Sequence, residues 1–195
     1  MTTDDADAHA HDPSCRGDAA FQLCLRGKVI WLYGLSGAGK STLARYAAQR
    51  LRPEGRQVLL DGDELRSGLC RGLGYTVEDR TENVRRAAEL ARLLSRQGCL
   101  VLVALMTPLR SMRELAREII GDALITIHLR CDHATCAARD VKGLYREAAA
   151  GRLPHFPGTN MVFEGAADDE LSIDTGRLPI EECLGQLLRL AEPEF

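Results

Sequence analysis

The sequence predicts an α/β protein: three layers, α/β/α, around a mainly parallel five-stranded sheet. Three observations carry that expectation. Short apolar runs of strand length alternate with longer segments of helical periodicity from about residue 27 onward. The first run, "KVIWLY", is compact and apolar and ends in glycine, as a strand buried on both faces does. The repeated β-α-β order requires crossovers, and these place helices on both faces of a parallel sheet.

The elements follow in order. "KVIWLY" is the first strand, and a helix spans Lys40 to Arg52 with Leu43, Tyr46, Ala47 and Leu51 on one face, stopped by Pro53. "QVLLD" is the second strand. Thr76 with Asp79 resembles a capping box, opening a helix whose buried stripe is Val84, Ala87, Ala88, Ala91 and Leu94 and which ends at Gly98. "CLVLVAL" is the third strand and "LRSMRELAREII" the third helix. "ALITIHLR" is the fourth strand. "HATCAARDVKGLYREAAA" is helical but carries Gly143, which predicts a break into two pieces. "LSID" is a short fifth strand, and "IEECLGQLLRLA" closes the domain.

Composition bounds the function. At 195 residues the chain suits one domain. Hydrophobic content of 45% and charged content of 27% are those of a soluble globular protein. A net charge of −3 argues against a nucleic-acid partner. No apolar run approaches the roughly 18 residues that span a bilayer, so no membrane partner is expected. The start lacks a basic stretch followed by an apolar one, which predicts a cytoplasmic protein. The cysteines (Cys15, Cys24, Cys70, Cys99, Cys131, Cys136, Cys183) are odd in number and form no C-x-x-C pair. That suits a reduced chain without a zinc site. Residues 1–26 are polar and acidic and read as a flexible tail, with His9 and His11 either solvated or able to bind a metal. Residues 27–195 form the predicted domain.

The sharpest motif is Gly34-Leu-Ser36-Gly37-Ala38-Gly39-Lys40-Ser41, which satisfies G-x-x-x-x-G-K-[ST] in full. Glycines let the backbone curl so that N–H groups converge on a phosphate. The helix that follows adds its N-terminal donors and positive dipole end. Lys40 is expected to reach the β- and γ-phosphates of ATP, and Ser41 to ligate Mg²⁺. The loop lies between a strand and an amphipathic helix, as that mechanism requires, so the fold is of the P-loop NTPase type. Further on, Asp61 ends a strand, where open α/β sheets gather ligands, and Asp63 follows two residues later. One carboxylate can organise magnesium-bound water and the other accept a proton from an attacking hydroxyl. A solvated Asp-Gly-Asp turn is the bland alternative.

The stretches "GLSGAGKST", "LDGDELRSGL", "LGYTVEDRTENVRR", "TPLRSMRELAR", "ARDVKGLYREAAAG", "FPG" and "SIDT" together resemble the adenylylsulfate kinase family from Gly27 to Leu190. The resemblance implies transfer of the ATP γ-phosphate to the 3′-hydroxyl of adenosine 5′-phosphosulfate (APS), giving PAPS. It also implies roles. Asp63 matches the catalytic aspartate, with Lys40 and Lys142 as catalytic cations. Gly34, Ser36, Gly37, Ala38, Gly39, Lys40, Ser41, Thr42 and Arg139 would hold ATP, with Arg139 against its adenine. Ser41, and Asp61 through water, would hold Mg²⁺. Arg66, Arg80, Asn83 and Arg110 would face the phosphosulfate and nucleoside, since such an anion suits guanidinium forks. Tyr75 and Phe156 would sandwich the substrate adenine. Lys142, Gly143 and Leu144 belong to a helical lid and, with Asp61, would also bind the substrate. A homodimer is one assembly the resemblance implies.

Four departures from the family pattern crowd the acceptor side. They are Glu64, Leu109, Pro157 and the stretch "GTNMVFEG", where Asn160 replaces a carboxylate and Phe163 a tyrosine. A kinase of the same build with another small hydroxyl acceptor therefore stays open. A GTPase-type switch would need an Asn-Lys-x-Asp stretch, and none is present. A non-catalytic nucleotide-binding module is opposed by the retention of Lys40 and Asp63.

Overall fold

Strand β1 (Val29–Tyr33) is buried at all five positions and sits at the centre of the sheet. The computed structural model describes residues 27–51, 56–166 and 171–191. The expected tail, with His9, His11, Cys15 and Cys24, lies outside them, as do Arg52 and Pro53. The other strands are β2 (Gln57–Asp61), β3 (Leu100–Ala104), β4 (Leu124–Arg130) and β5 (Ser172–Asp174). Their order across the sheet is β2-β3-β1-β4-β5, and every pairing is parallel. The expected α/β/α architecture is therefore present, with the sheet fully rather than mainly parallel.

The two-residue side-chain period of a strand sorts the core into two layers. Ile30 and Leu32 face one side, with helices α1 (Lys40–Arg50) and α7 (Ile180–Ala191) over them. Val29, Trp31 and Tyr33 face the other, beneath α3 (Val77–Arg96) and α4 (Arg110–Ile120). Alanines make the α3 contact close: Ala87, Ala88 and Ala91 are fully buried. β1 leads on to β2 past one side of β3, whereas β3 leads on to β4 on the opposite side. The loops after β1 and β3 thus diverge and leave a crevice at the carboxyl ends of the strands.

Local expectations met the structure unevenly. Thr76 caps α3, its side chain accepting from the Asp79 N–H at 3.2 Å. We expect Thr76→Ala to lower the unfolding free energy by about 1 kcal/mol in urea titration, with activity retained. Tyr46 is 44% exposed rather than on the buried face of α1. Leu43, Ala44 and Ala47 form a narrow stripe there, and at about 100° per residue Tyr46 falls outside it. A short helix, α2 (Gly62–Ser67), stands where a turn was one reading of Asp-Gly-Asp. Asp61 starts it by accepting the Asp63 N–H on Oδ1 at 3.0 Å. The segment around Gly143 does break, into α5 (His133–Arg139) and α6 (Leu144–Ala149).

Candidate active site

The glycine-rich loop joins β1 to α1 and wraps the head of that helix. Gly37 has φ of +80°, and a Cβ there would lie 2.9 Å from the Cys136 carbonyl oxygen, so only glycine fits. Each carbonyl from Gly34 to Ala38 accepts a side-chain hydrogen bond. Lys40 Nζ donates to Gly34 at 3.0 Å and Leu35 at 2.7 Å. The Tyr145 hydroxyl donates to Ser36 at 2.9 Å, Arg139 to Gly37 at 3.1 Å and Thr175 to Ala38 at 2.8 Å. In a trans peptide the N–H points away from the C=O. Each fixed carbonyl therefore fixes the amide of its own peptide as well, so the loop is preorganised, as a phosphate cradle needs. Burial, reinforced by repulsion from Lys142, lowers the Lys40 pKa to about 8.

The loop forms one end of a cavity of about 630 Å³. Ser36, Gly37, Ala38, Gly39, Lys40, Ser41 and Thr42 line that end. Arg139 lines it as well and ties the cradle to the end of β5 through the Thr175 carbonyl, 3.0 Å away. Asp61 and Asp63 line the cavity too, near enough to the Lys40 ammonium to favour its charge, and Arg66 follows Asp63 on the same short helix. Asp61 is 6% exposed, and its Oδ2 is buried without a hydrogen-bond partner. Asp63 forms an ion pair with Lys142, from the turn between α5 and α6, and both side chains are at least half exposed.

The other end is cationic and aromatic. Arg66, Tyr75, Arg80, Asn83 and Phe156 line it. The Arg66 guanidinium lies 4.4 Å from the Tyr75 ring centre and that of Arg80 5.3 Å. Arg80 is 6% exposed and bonds only neutral groups, among them the carbonyls of Tyr75 at 3.0 Å and His155 at 2.9 Å. Burial, with Arg66 as a repulsive neighbour, lowers its pKa to about 10, so it stays charged at neutral pH. Among the described residues neither arginine has a carboxylate partner. Asn83 is buried and its Oδ1 is unpartnered. Two guanidiniums without counter-ions, beside an exposed ring, make an anion site with a stacking platform.

Most of the expected site residues thus meet in one cavity. Leu144 joins them, but Gly34 and Gly143 do not line it. Gly34 follows β1 and opens the loop, its carbonyl accepting from Lys40. Gly143, at φ of +69°, makes the left-handed turn that starts α6 and presents its neighbour Lys142. Arg110 is also not brought to the cavity. It opens α4, where its side chain is exposed and its N–H is bonded to the Glu164 carboxylate. One turn later Arg113 points inward instead, donating to the carbonyls of Thr107, Glu164 and Gly165 and covering the Tyr33 ring. Thr107 is fully buried, accepting from the Trp31 indole at 2.9 Å and donating to the Leu105 carbonyl.

Sequence reasoning missed the binding-cavity wall made by Thr175, Leu178, Ile180 and Cys183. Only the "SIDT" stretch signalled it, and apolar residues near a helix start read as ordinary core. It also placed the departures in "GTNMVFEG" at the acceptor. None of those residues lines the cavity. Phe163 stacks on His128, which stacks on Tyr33, beneath the sheet end.

Comparison with known proteins agrees with this geometry. A family model described as adenylylsulphate kinase matches residues 26–174. The adenylyl-sulfate kinase of Paraburkholderia xenovorans is 46% identical over 164 residues, covering 84% of this chain and 92% of that one. A solved structure of the Mycobacterium tuberculosis APS kinase CysC, in complex with AMPPNP and APS, superposes with a TM-score of 0.79. Its sequence is 36% identical, and the match covers 85% of this chain and 97% of that one. The hexameric APS kinase of Thiobacillus denitrificans superposes at a TM-score of 0.60 and 26% identity, over 95% of this chain and 33% of that one. With the family model matched over residues 26–174 and a relative 46% identical over 92% of its own length, the chain belongs to the adenylylsulfate kinase family.

Proposed function

We propose that this protein transfers the γ-phosphate of ATP to the 3′-hydroxyl of APS, giving PAPS and ADP. One observation carries the reading. A single cavity joins a phosphate cradle and a carboxylate pair to two arginines that lie against an aromatic ring and, among the described residues, have no carboxylate partner. ATP suits the first end. A nucleotide whose 5′ group carries fixed negative charge suits the second.

The chain's part in the reaction follows from electrostatics. Phosphoryl transfer passes through a loose transition state, so positioning and charge stabilisation dominate. The cradle amides and Lys40 hold the β- and γ-phosphates. Arg66 and Arg80 hold the phosphosulfate, while Tyr75 and Phe156 hold the adenine by stacking and contact. Asp63 accepts the hydroxyl proton. Its pairing with Lys142 is solvent-screened and weak, so the lysine can turn to the phosphates as charge builds there. Arg139 steadies the cradle beside the donor base.

The residues present fit Mg²⁺. Asp61, whose buried Oδ2 is orphaned, and Ser41, which carries a hydroxyl, both line the cavity. Among the described residues no cluster of three His, Cys, Asp or Glu could cage a metal alone. Magnesium needs no such cage, taking one or two protein oxygens with phosphates and water. Bound there, it would neutralise phosphate charge and orient the γ-phosphate.

The family's homodimer is part of the reading, supported by an oligomeric relative and checked by size-exclusion chromatography with light scattering. A cytoplasmic setting is supported by the five cysteines among the described residues, all free and buried, which suit a reducing compartment. No helix among the described residues is long and apolar enough to cross a membrane. The decisive test is coupled ADP release with and without APS. We expect release to depend on APS by at least about a hundred-fold, since water is excluded as acceptor by positioning. Equal release without APS, or with unrelated hydroxyl compounds alone, overturns the substrate.

A further inference from the structure

We propose that Asn160 is a positioning residue for the acceptor, acting through Phe156. Phe156 is 2% exposed and lines the cavity, yet its backbone belongs to a surface loop that must be held in place. The holding is local. The Phe156 carbonyl accepts from the N–H groups of Thr159, Asn160 and Met161 at 3.1–3.2 Å. The Phe156 N–H donates to Asn160 Oδ1, and Asn160 Nδ2 donates to the Leu153 carbonyl at 3.0 Å. Leu153 also lines the cavity. The preceding residue, His155, sits at φ of +56°, a strained setting for a side-chain-bearing residue. That setting turns its carbonyl to Arg80 at 2.9 Å.

The chemistry selects an amide. One partner is a backbone N–H, which needs an acceptor. The other is a backbone C=O, which needs a donor. An amide carries both groups on one planar head and satisfies the two at once. A carboxylate can serve the N–H but sets oxygen against the Leu153 carbonyl. Asn160 itself does not line the cavity, so it does not read the acceptor. It locks the strained loop so that the Phe156 ring and the Arg80–His155 contact stay in register.

The inference rests on the APS reading, which wild-type turnover with APS tests separately. Asn160→Ala removes two neutral hydrogen bonds, each worth about 0.5–1.5 kcal/mol, so the KM for APS should rise about three- to ten-fold. The KM for ATP and the kcat at saturating APS should stay within about two-fold. Asn160→Asp keeps the acceptor half of the clamp and should fall between Asn160→Ala and wild type. In a Phe156→Leu background, which keeps most of the buried volume but removes the ring, Asn160→Ala should add less than about two-fold. An unchanged KM for APS overturns the proposal. So does an equal rise in the KM for ATP, or a full multiplicative effect on top of Phe156→Leu.

Discussion

Lys40→Ala is expected to cut kcat/KM for ATP by about 10³-fold or more while leaving the fold intact. A single preorganised donor on developing charge is worth about 10²–10³-fold, and this one carries a full charge inside the cradle. Its geometry explains the size. Lys40 Nζ is held by the carbonyls of Gly34 and Leu35, the first two residues of the loop. The ammonium is therefore already placed and partly desolvated when the phosphates arrive. The cost of that preparation appears in its pKa, lowered to about 8 chiefly by burial. The sign of the resulting pH dependence is fixed. Bound phosphates favour the protonated lysine and raise its pKa, whereas without nucleotide it loses its proton above about pH 8. ATP affinity should change little up to about pH 7, then fall as pH rises through 8 and beyond, with uptake of protons on binding. Calorimetry in buffers of different ionisation enthalpy reads both. In the folded protein alone the sign is the reverse of a stabilising pair. The buried ammonium costs stability below pH 8, and that cost fades as pH rises towards the ordinary lysine value of 10.5. Circular dichroism on Lys40→Ala separates lost catalysis from lost folding.

What could be read in advance follows chain contiguity. The phosphate cradle was legible because its chemistry needs a continuous backbone run, and Gly34 to Ser41 is such a run. The strands were legible because burial on both faces forces apolar stretches. The proposed acceptor end is different. Arg66, Tyr75 and Arg80 come from α2, the loop after it and α3, and Phe156 from a loop far along the chain. Only the resemblance gathered them, because spacing says nothing about which turn of a helix faces a crevice. Arg110 and Arg113 show the limit. Both lie in one arginine-bearing stretch, three residues apart, yet the first is exposed and the second is buried under carbonyls. The departures in "GTNMVFEG" show it again. Read linearly they sit beside "FPG" and so beside the acceptor. Folded, Asn160 turns back to Leu153 and Phe163 packs on His128. The pairing of Lys142 with Asp63 spans 79 residues and left no mark on either local pattern.

Asp63→Asn is the second large effect: kcat should fall about 10²–10⁴-fold, the range for loss of a positioned general base. ATP affinity should stay within about two-fold. The substitution keeps the backbone anchor, because the Asp63 N–H, not its side chain, caps onto Asp61 Oδ1. Asp61 and its orphaned Oδ2 are therefore undisturbed, and the magnesium-side geometry survives. The complication is Lys142, whose partner would lose its charge. Two accounts of a slow Asp63→Asn enzyme then compete: loss of the proton acceptor, or release of the lysine from its resting contact. Lys142→Ala separates them. If Asp63 mattered only as an anchor for the lysine, the two variants and the double variant would share one rate. If Asp63 takes the proton, Lys142→Ala should lose rate through phosphate charge stabilisation. The double variant should then be slower than either. In a loose transition state the hydroxyl becomes acidic late. The Asp63→Asn defect should therefore sit in kcat, with the KM for APS almost unchanged. A near wild-type kcat for Asp63→Asn would remove the carboxylate from the reaction and leave positioning and charge as the whole of this enzyme's catalysis.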